Sequence, residues 1–261
     1  MSAFAKQLRR QLDQPIYNPI LKREVGRGDL DYERYLRTPE LLSLQTPRDE
    51  LVASEELMFQ VVHQTQELWL KLLAHEGAAV VEALDADRLW PAAEGLSRCS
   101  RIFTSLHASM QVLETLTPDA YQTIRQHLGN GSGQESPGFN AVRLLGEALS
   151  DCLDRLLERR RMPIAEAYAP GNEDLKRICE LLVDFDEGYQ NWLVLHYQLV
   201  RRTIGVGKEI RALDGVSTRV LVGRMTQPLL PRLWELREEM TANWKRGGGY
   251  APGAPRKADA V

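Results

Sequence analysis

The amino-acid sequence predicts an all-α protein built as a helical bundle. Apolar residues recur every three or four positions in long stretches between Ser54 and Ala242, the spacing that places them on one face of a helix. Few segments show the period-two alternation of a half-buried strand. The 261 residues, 43% hydrophobic and 26% charged, have an ordinary globular composition. We expect one helical domain over residues 1–261, with residues 1–28 as an N-terminal arm and residues 246–261 as a disordered tail.

Helix-start and helix-stop residues divide the central part of the chain into six helices. Ser54 is predicted to cap the first helix, and Gly77 to end it. Pro118 begins the third, because proline is tolerated in a first helical turn, and Gly129 ends it. Residues 129–138, GNGSGQESPG, have the composition of a loop. The predicted helices span approximately residues 54–77, 87–116, 118–128, 139–161, 172–204 and 216–242.

Charge and cysteine content narrow the class of protein. The formal net charge is −3, whereas a nucleic-acid partner normally requires a basic excess. No apolar run approaches the ~20 residues of a membrane span, and the N-terminus lacks the apolar core of a secretory signal. Cys99, Cys152 and Cys179 form no CxxC pair, which is typical of reduced thiols. We therefore expect a cytoplasmic protein with no membrane or nucleic-acid partner.

The five histidines are the first candidates for metal chemistry. None lies in an HExxH or Glu-x-x-His pattern, so neither a zincin site nor a carboxylate-bridged di-iron site is predicted. A helical bundle can still hold a heme, which needs one axial imidazole and an apolar slot. His196 lies in an apolar helix with Trp192 and Val200 on its face. Spacing alone leaves two readings open, a ligand and an ordinary core histidine, and the second is the more common.

Two further pairs share a helical face. Phe59 and His63 are four residues apart, and so are Tyr121 and Arg125. An arginine offers a planar fork for a carboxylate, and a phenol beside it adds a donor. On spacing alone, a core phenylalanine and a surface arginine paired with an Asp or Glu are the favoured explanations of these residues.

Five blocks of sequence, in order, resemble the tryptophan 2,3-dioxygenase family. The most specific is MFQVVHQTQELWLKLLAHE, which contains the family's HQT-x-ELW core. The others are DYERYLRTPELLSLQTP, VLETLTPDAYQTIRQHLGNGSGQES, FDEGYQNWLVLHYQLVRRTIG and LLPRLWELR. Together they span most of the chain from Asp31 to Arg237. The resemblance implies an all-α heme oxygenase that acts on an aromatic amino acid with O₂ or peroxide.

The resemblance also implies roles for the residues of the site. His196 corresponds to the proximal ligand of heme b iron. His63 corresponds to the distal histidine that forms a hydrogen bond with the indole nitrogen, and Phe59 lines the same pocket. Arg125 would hold the substrate carboxylate, with help from Tyr121.

Four more residues follow from the same resemblance. Ser132 matches a small residue near the oxygen site and the heme edge. Tyr32, Tyr35 and Leu36 match residues that family members insert into a neighbouring subunit's substrate pocket. The resemblance therefore implies a homo-oligomer, with the tetramer as the expected state.

The segment after the proximal helix departs from the family pattern. Family members carry a Gly- and Ser-rich loop whose threonine contacts the substrate, whereas Ile210 takes the threonine position here and Gly215 alone is kept. Met110 replaces a family tryptophan. An isoleucine cannot replace a hydroxyl contact, so we expect a remodelled pocket that suits a substituted tryptophan, such as 3-methyltryptophan. Either one or two oxygen atoms are inserted, and whether Lys208, Glu209 or Arg211 replaces the lost contacts stays open.

Two other functions are compatible with the sequence. One is hydroxylation of tyrosine by a histidine-ligated heme of the same superfamily. The other is a heme-binding sensor or carrier without turnover, although such a protein needs no amino-acid clamp. A helical scaffold without heme is the simplest alternative to all of these.

Overall fold

The structure is a computed structural model that describes residues 2–12, 30–245, 247 and 253. Regular structure in these residues is helical throughout, apart from an isolated antiparallel bridge between Arg211 and Ser217. The predicted all-α fold is therefore confirmed. The chain divides into two compact units, Met1–Pro47 and Arg48–Val261.

The described residues of the first unit form three short helices, α1 (Ala3–Leu12), α2 (Asp31–Leu36) and α3 (Thr38–Leu41). Helix α2 ends at Arg37, whose φ of 53° lies in the left-handed region, and Pro39 follows in the first turn of α3. Neither α2 nor α3 buries a residue. Helix α1 lies in the predicted arm, whose residues 13–28 fall outside the described residues. The predicted disordered tail also falls outside them, apart from Gly247 and Gly253.

The described residues of the second unit form four long helices and three shorter ones. They are α4 (Glu56–Asp85), α5 (Leu89–Leu113), α6 (Pro118–Arg125), α7 (Pro137–Arg160), α8 (Glu173–Thr203), α9 (Val220–Met225) and α10 (Pro231–Ala242), with 3₁₀ helices at Gly133–Glu135 and Ile164–Tyr168. Helix α4 packs against α5 and α7, and α5 packs against α8. Each of these four helices contributes a leucine with no exposed surface to the shared core: Leu73, Leu96, Leu149 and Leu182. No helix among the described residues is long and apolar enough to cross a membrane.

The predicted end of the first long helix at Gly77 is wrong. Helix α4 continues to Asp85, and Gly77 lies in its buried face. A Cβ at Gly77 would come within 2.2 Å of Leu145 Cδ2 on α7. The glycine therefore permits close approach of two helices, which sequence alone does not distinguish from a helix stop.

Two other predicted boundaries are corrected. Ser54 does not cap α4, because its Oγ donates to Glu55 Oε2 and the helix begins after Glu55 without a side-chain cap. The predicted helix over 216–242 is two helices, α9 and α10. Pro228 falls in the break between them and Pro231 begins α10, since proline lacks an N–H for an uninterrupted helical ladder.

Asp186 joins α8 to α10. Its carboxylate has no exposed surface and accepts hydrogen bonds from the backbone N–H groups of Leu229 (3.0 Å) and Leu230 (2.9 Å). It also accepts from Trp234 Nε1 at 2.9 Å and Gln190 Nε2 at 3.0 Å. A buried carboxylate with four donors is fully satisfied, and it fixes where the chain re-enters the bundle before α10.

Candidate functional site

A cavity of about 440 Å³ opens in the second unit between α4, α6, α8 and the segment that follows α8. Its volume falls in the range of roughly 300–1,000 Å³ found for small-molecule and cofactor sites. Most of the wall is apolar, and Leu70, Leu113, Phe139, Leu193 and Val200 are examples. The few polar groups on such a wall determine what it binds.

His196 presents its imidazole to this cavity from α8, four residues after Trp192. Burial among apolar side chains, together with nearby His63, lowers the pKa of His196 to about 4. The ring is therefore neutral at physiological pH, the state in which a histidine ligates a metal. A Cβ on Gly133 would lie 3.7 Å from His196 Nε2, so the loop before α7 passes close to this nitrogen.

The donor set fits a heme. The described residues contain no group of three or more His, Cys, Asp or Glu side chains that could hold a metal ion. Heme iron needs no such group, because the porphyrin supplies its in-plane ligands and the protein supplies an axial imidazole in an apolar slot. His196 and the apolar wall provide both, and His196 is the residue that would hold the iron.

His63 and Phe59 lie side by side on α4, with ring centroids 4.1 Å apart. His63 Nδ1 lies 2.7 Å from the carbonyl oxygen of Phe59. Because a carbonyl only accepts, Nδ1 carries the proton and the Nε2 of the neutral ring is an acceptor. Burial lowers the pKa of His63, while the Phe59 carbonyl and nearby Glu67 oppose that effect. A neutral acceptor therefore lies on the cavity wall.

Tyr121 and Arg125 reach the cavity from α6. The Tyr121 and Phe59 ring centroids are 6.1 Å apart, so the two predicted pairs meet at one site. Burial raises the pKa of Tyr121, which keeps the phenol protonated as a donor. Arg125 Nη2 donates to the carbonyl oxygen of Arg211 at 2.9 Å. Since a guanidinium has five N–H donors, most of them remain for a ligand.

Ser132 lies on the cavity wall and shapes the loop before α7. Its Oγ accepts from Gln134 N at 3.1 Å, and its own N–H donates to Glu135 Oε2 at 3.3 Å, which together form a capping box. The capping box holds the short 3₁₀ helix that carries Gly133 past His196.

The segment after α8 forms the remaining wall. A turn brings Ala212 N within 2.9 Å of the Val216 carbonyl oxygen, and Thr218 Oγ1 donates to the Ile210 carbonyl oxygen at 3.4 Å. Ala212, Val216 and Thr218 line the cavity, as do Leu213 and Ser217. The side chains of Ile210, Lys208, Glu209 and Arg211 are not part of the wall. The wall here is thus largely apolar with two hydroxyl groups.

Two site residues were missed by sequence reasoning. Glu67 accepts from Ser136 Oγ, and its other oxygen accepts from Gly138 N at 3.0 Å, so that α4 is tied to the start of α7. The sequence feature that could have identified Glu67 is its position four residues after His63. Arg224 also lines the cavity, from the short helix α9, and no sequence pattern marks it.

The remaining residues that the sequence singled out lie on α5 and α2. Met110 is buried on α5 at the cavity wall, where Gln66 Nε2 contacts its sulfur at 3.0 Å. Tyr32, Tyr35 and Leu36 lie on α2 in the first unit, with 70%, 88% and 44% of their surfaces exposed. Their insertion into a neighbouring subunit stays a prediction.

An all-α fold around such a cavity fits a heme-dependent oxygenase, and comparison with known proteins identifies the family. Residues 20–155 match the family model described as tryptophan 2,3-dioxygenase. The tryptophan 2,3-dioxygenase of Myxococcus xanthus is 31% identical over 266 aligned residues that cover 82% of this chain and 91% of the relative. Those of Saccharopolyspora erythraea and Erythrobacter litoralis are 31% and 32% identical, over 82% and 80% of this chain and 94% and 98% of the relatives.

The chain therefore belongs to the tryptophan 2,3-dioxygenase family. The predicted family is confirmed, and with it the enzyme class and the cofactor, since this is a family of heme-dependent oxygenases.

Proposed function

We propose that this oxygenase inserts oxygen at the indole C2–C3 bond of L-tryptophan or of a substituted tryptophan such as 3-methyltryptophan. The observation that carries the proposal is the meeting of four groups at one cavity: the neutral His196 imidazole, the His63 acceptor, and the Tyr121–Arg125 pair. A free aromatic amino acid has a carboxylate, a flat ring and, in tryptophan, one ring N–H. Each of these finds a matching group on the wall.

In this proposal, His196 holds the heme iron, and bound heme supplies the oxygen chemistry. The side chains of α4 and α6 orient the substrate. The Arg125 guanidinium binds the carboxylate through charge-assisted hydrogen bonds, and the protonated Tyr121 phenol adds a donor. Holding the ring in one position accounts for the proximity contribution to the rate.

His63 fixes the orientation of the indole. With Nδ1–H engaged by the Phe59 carbonyl, the Nε2 lone pair accepts the indole N–H. Phe59 provides an apolar face beside it, and the apolar wall excludes water from the reacting bond. Ser132 holds the loop at the heme edge in shape through its capping box.

The altered segment after α8 supports the extension to substituted tryptophans. Ala212, Leu213 and Val216 present small or aliphatic groups to the cavity. An apolar wall tolerates an added methyl group on the substrate better than a wall of hydroxyl groups that hydrogen-bond the substrate. Against an apolar wall, the methyl group breaks no hydrogen bond. Insertion of one oxygen atom is the second outcome that we propose: with peroxide as the oxidant, one oxygen atom enters the substrate and the other leaves as water.

We also propose a homo-oligomer, with the tetramer as the expected state. On α2, Tyr32 and Tyr35 expose most of their rings, as expected of side chains that a neighbouring subunit covers. On α4, Leu57, Val61 and Leu68 expose between 42% and 52% of their surfaces along one helical face. Light scattering of wild type and of Tyr35→Ser compares their assembly states.

Product analysis tests the function. The heme-loaded protein is incubated with L-tryptophan, 3-methyltryptophan or L-tyrosine, under O₂ or with peroxide, and products are followed by mass. Gain of two oxygen atoms on L-tryptophan, or of one or two on the methylated substrate, is the expected result. Exclusive gain of one oxygen on tyrosine would contradict the proposal and identify a tyrosine hydroxylase. Absence of turnover with all three by a heme-loaded protein would indicate a carrier.

A further inference from the structure

Arg224 is a half-buried cation on the cavity wall that the proposed chemistry does not use. Its Nη2 donates to Gln134 Oε1 at 3.1 Å, and its Cζ lies 5.9 Å from the centroid of the Phe139 ring. Within the described part of the chain, no carboxylate forms an ion pair with it. A guanidinium beside an apolar cavity is stabilised by an anionic partner.

Trp192 adds a second unused donor on the same wall. Its side chain is 8% exposed, and its Nε1 has no hydrogen-bond partner among the described residues. The centroids of Trp192 and Phe139 are 5.8 Å apart, so the Phe139 ring neighbours both Trp192 and the Arg224 guanidinium. Buried indole N–H groups usually have a partner, and here the neighbouring space is the cavity.

These donors lie on the His196 side of the site. Trp192 precedes His196 by one helical turn on α8. Gln134, which accepts from Arg224, follows Gly133, and Gly133 is the residue that passes close to His196 Nε2. Arg125, by contrast, is linked to Phe59 through Tyr121 and to the carbonyl oxygen of Arg211. Among the described residues, the cavity wall thus carries two separate cations, Arg125 and Arg224, each in its own surroundings.

We propose that Arg224, assisted by the Trp192 N–H, binds a propionate carboxylate of the heme. The proposal rests on the proposed heme ligation by His196. Heme b brings two carboxylates to an apolar cavity, and a substrate amino acid brings one, for which Arg125 already provides a guanidinium beside a phenol. A planar guanidinium pairs with a carboxylate in a bidentate, charge-assisted manner, which a lysine cannot reproduce.

The test compares two porphyrins on the full-length chain prepared without heme. Hemin carries free propionates, and hemin dimethyl ester carries none. Each is titrated into wild type and Arg224→Gln, with the Soret band as the readout and a dissociation constant as the result. Arg219→Gln is the matched control, because Arg219 is exposed and is not on the cavity wall.

We expect Arg224→Gln to weaken hemin binding roughly tenfold or more, as for loss of a charge-assisted contact. The ester should bind wild type and Arg224→Gln equally, and Arg219→Gln should match wild type with both porphyrins. Arg224→Lys should restore part of the hemin affinity, and Trp192→Phe should weaken hemin binding more than ester binding. Circular dichroism shows that each variant is folded.

Equal weakening for hemin and the ester would overturn the proposal, because Arg224 would then act through packing alone. Unchanged hemin binding in a folded Arg224→Gln variant would overturn it too, as would a loss confined to the affinity of the heme-loaded protein for L-tryptophan. In that last case the carboxylate at Arg224 belongs to the substrate. Failure of wild type to bind hemin at all would instead contradict the proposed heme site.

Discussion

Arg125 Nη2 donates to the carbonyl oxygen of Arg211 at 2.9 Å, a contact between residues 86 positions apart. The contact joins α6 to the segment that follows α8, which is the part of the chain where the family pattern is lost. The contact holds the Arg125 guanidinium at the cavity. Because the acceptor is a backbone oxygen, the contact does not depend on the identity of the Arg211 side chain. The arginine that we propose to bind the substrate is thereby kept in place at the cavity.

The first prediction concerns that guanidinium. Arg125→Gln should lower kcat/KM for the amino-acid substrate by roughly 10- to 150-fold, since a hydrogen bond to a charged group contributes about 1.5–3 kcal/mol. Arg125→Lys keeps the charge and loses the fork, so a smaller loss is expected. Steady-state product formation measures both. Tryptamine, which lacks the carboxylate, should bind wild type and both variants alike; a parallel loss for tryptamine would show that the variants disturb the cavity instead.

The His63 acceptor leads to a second prediction. Replacement by phenylalanine keeps a flat ring and removes the Nε2 lone pair, so the affinity for L-tryptophan should fall by roughly two- to tenfold. The substrate 1-methyltryptophan has no indole N–H and should bind His63→Phe and wild type equally. Spectral titration of the heme-loaded protein gives both constants. An equal loss with both ligands would mean that His63 does not accept the indole N–H.

Asp186 is predicted to be a major determinant of stability. In Asp186→Asn, an amide nitrogen replaces one carboxylate oxygen that accepts hydrogen bonds. This nitrogen cannot accept, so the buried N–H groups that donate to that oxygen lose their partner. The free energy of unfolding should fall by roughly 2–4 kcal/mol in a urea titration. Asp184→Asn, two residues earlier at an exposed position, is the control and should change stability little. Equal stability of the two variants would show that the join between α8 and α10 is dispensable.

The cysteines give a pH prediction. Burial raises the pKa of Cys99 and of Cys179 to about 12, and burial with the nearby Asp85 carboxylate raises that of Cys152 to about 11. In the unfolded chain the thiols ionise near pH 9. The unfolded state therefore binds fewer protons than the native state between about pH 9 and 12, and stability falls as pH rises through that interval. Urea titrations across it measure the slope.

Chemical modification of the three cysteines provides a second measurement of their burial. Thiols that stay protonated react slowly, so iodoacetamide at pH 8 should leave the native protein unmodified and should alkylate all three cysteines after unfolding. Rapid alkylation of the native protein would contradict the burial of these thiols.

Much of the architecture follows from apolar periodicity, because long amphipathic helices bury one face whatever their partners are. What periodicity cannot show is the purpose of a glycine. Gly77 has the residue type of a helix stop, and its function as a close-packing position depends on Leu145, which is far away in sequence. Likewise, the two prolines that divide 216–242 act together with Asp186, whose role as an acceptor is visible only in three dimensions.

The candidate site, like the fold, could be predicted only in part from the sequence. His63 and Arg125 were identifiable because each lies in a block that resembles the family. Arg224 lies on a helix of six residues without a recognisable pattern, and its place beside Gln134 and Phe139 comes from the tertiary fold. The wall built by Ala212 and Thr218 was equally unpredictable, because a turn rather than a repeated spacing determines which of its side chains face the cavity.

The most direct test of the account is the optical spectrum of His196→Gly beside wild type, each purified after expression with ample heme and reduced with dithionite. We predict a histidine-ligated Soret band for wild type, loss of that band in His196→Gly, and its recovery when free imidazole is added to the variant. A Soret band of unchanged position and intensity in His196→Gly would contradict the assignment of His196 as the iron ligand.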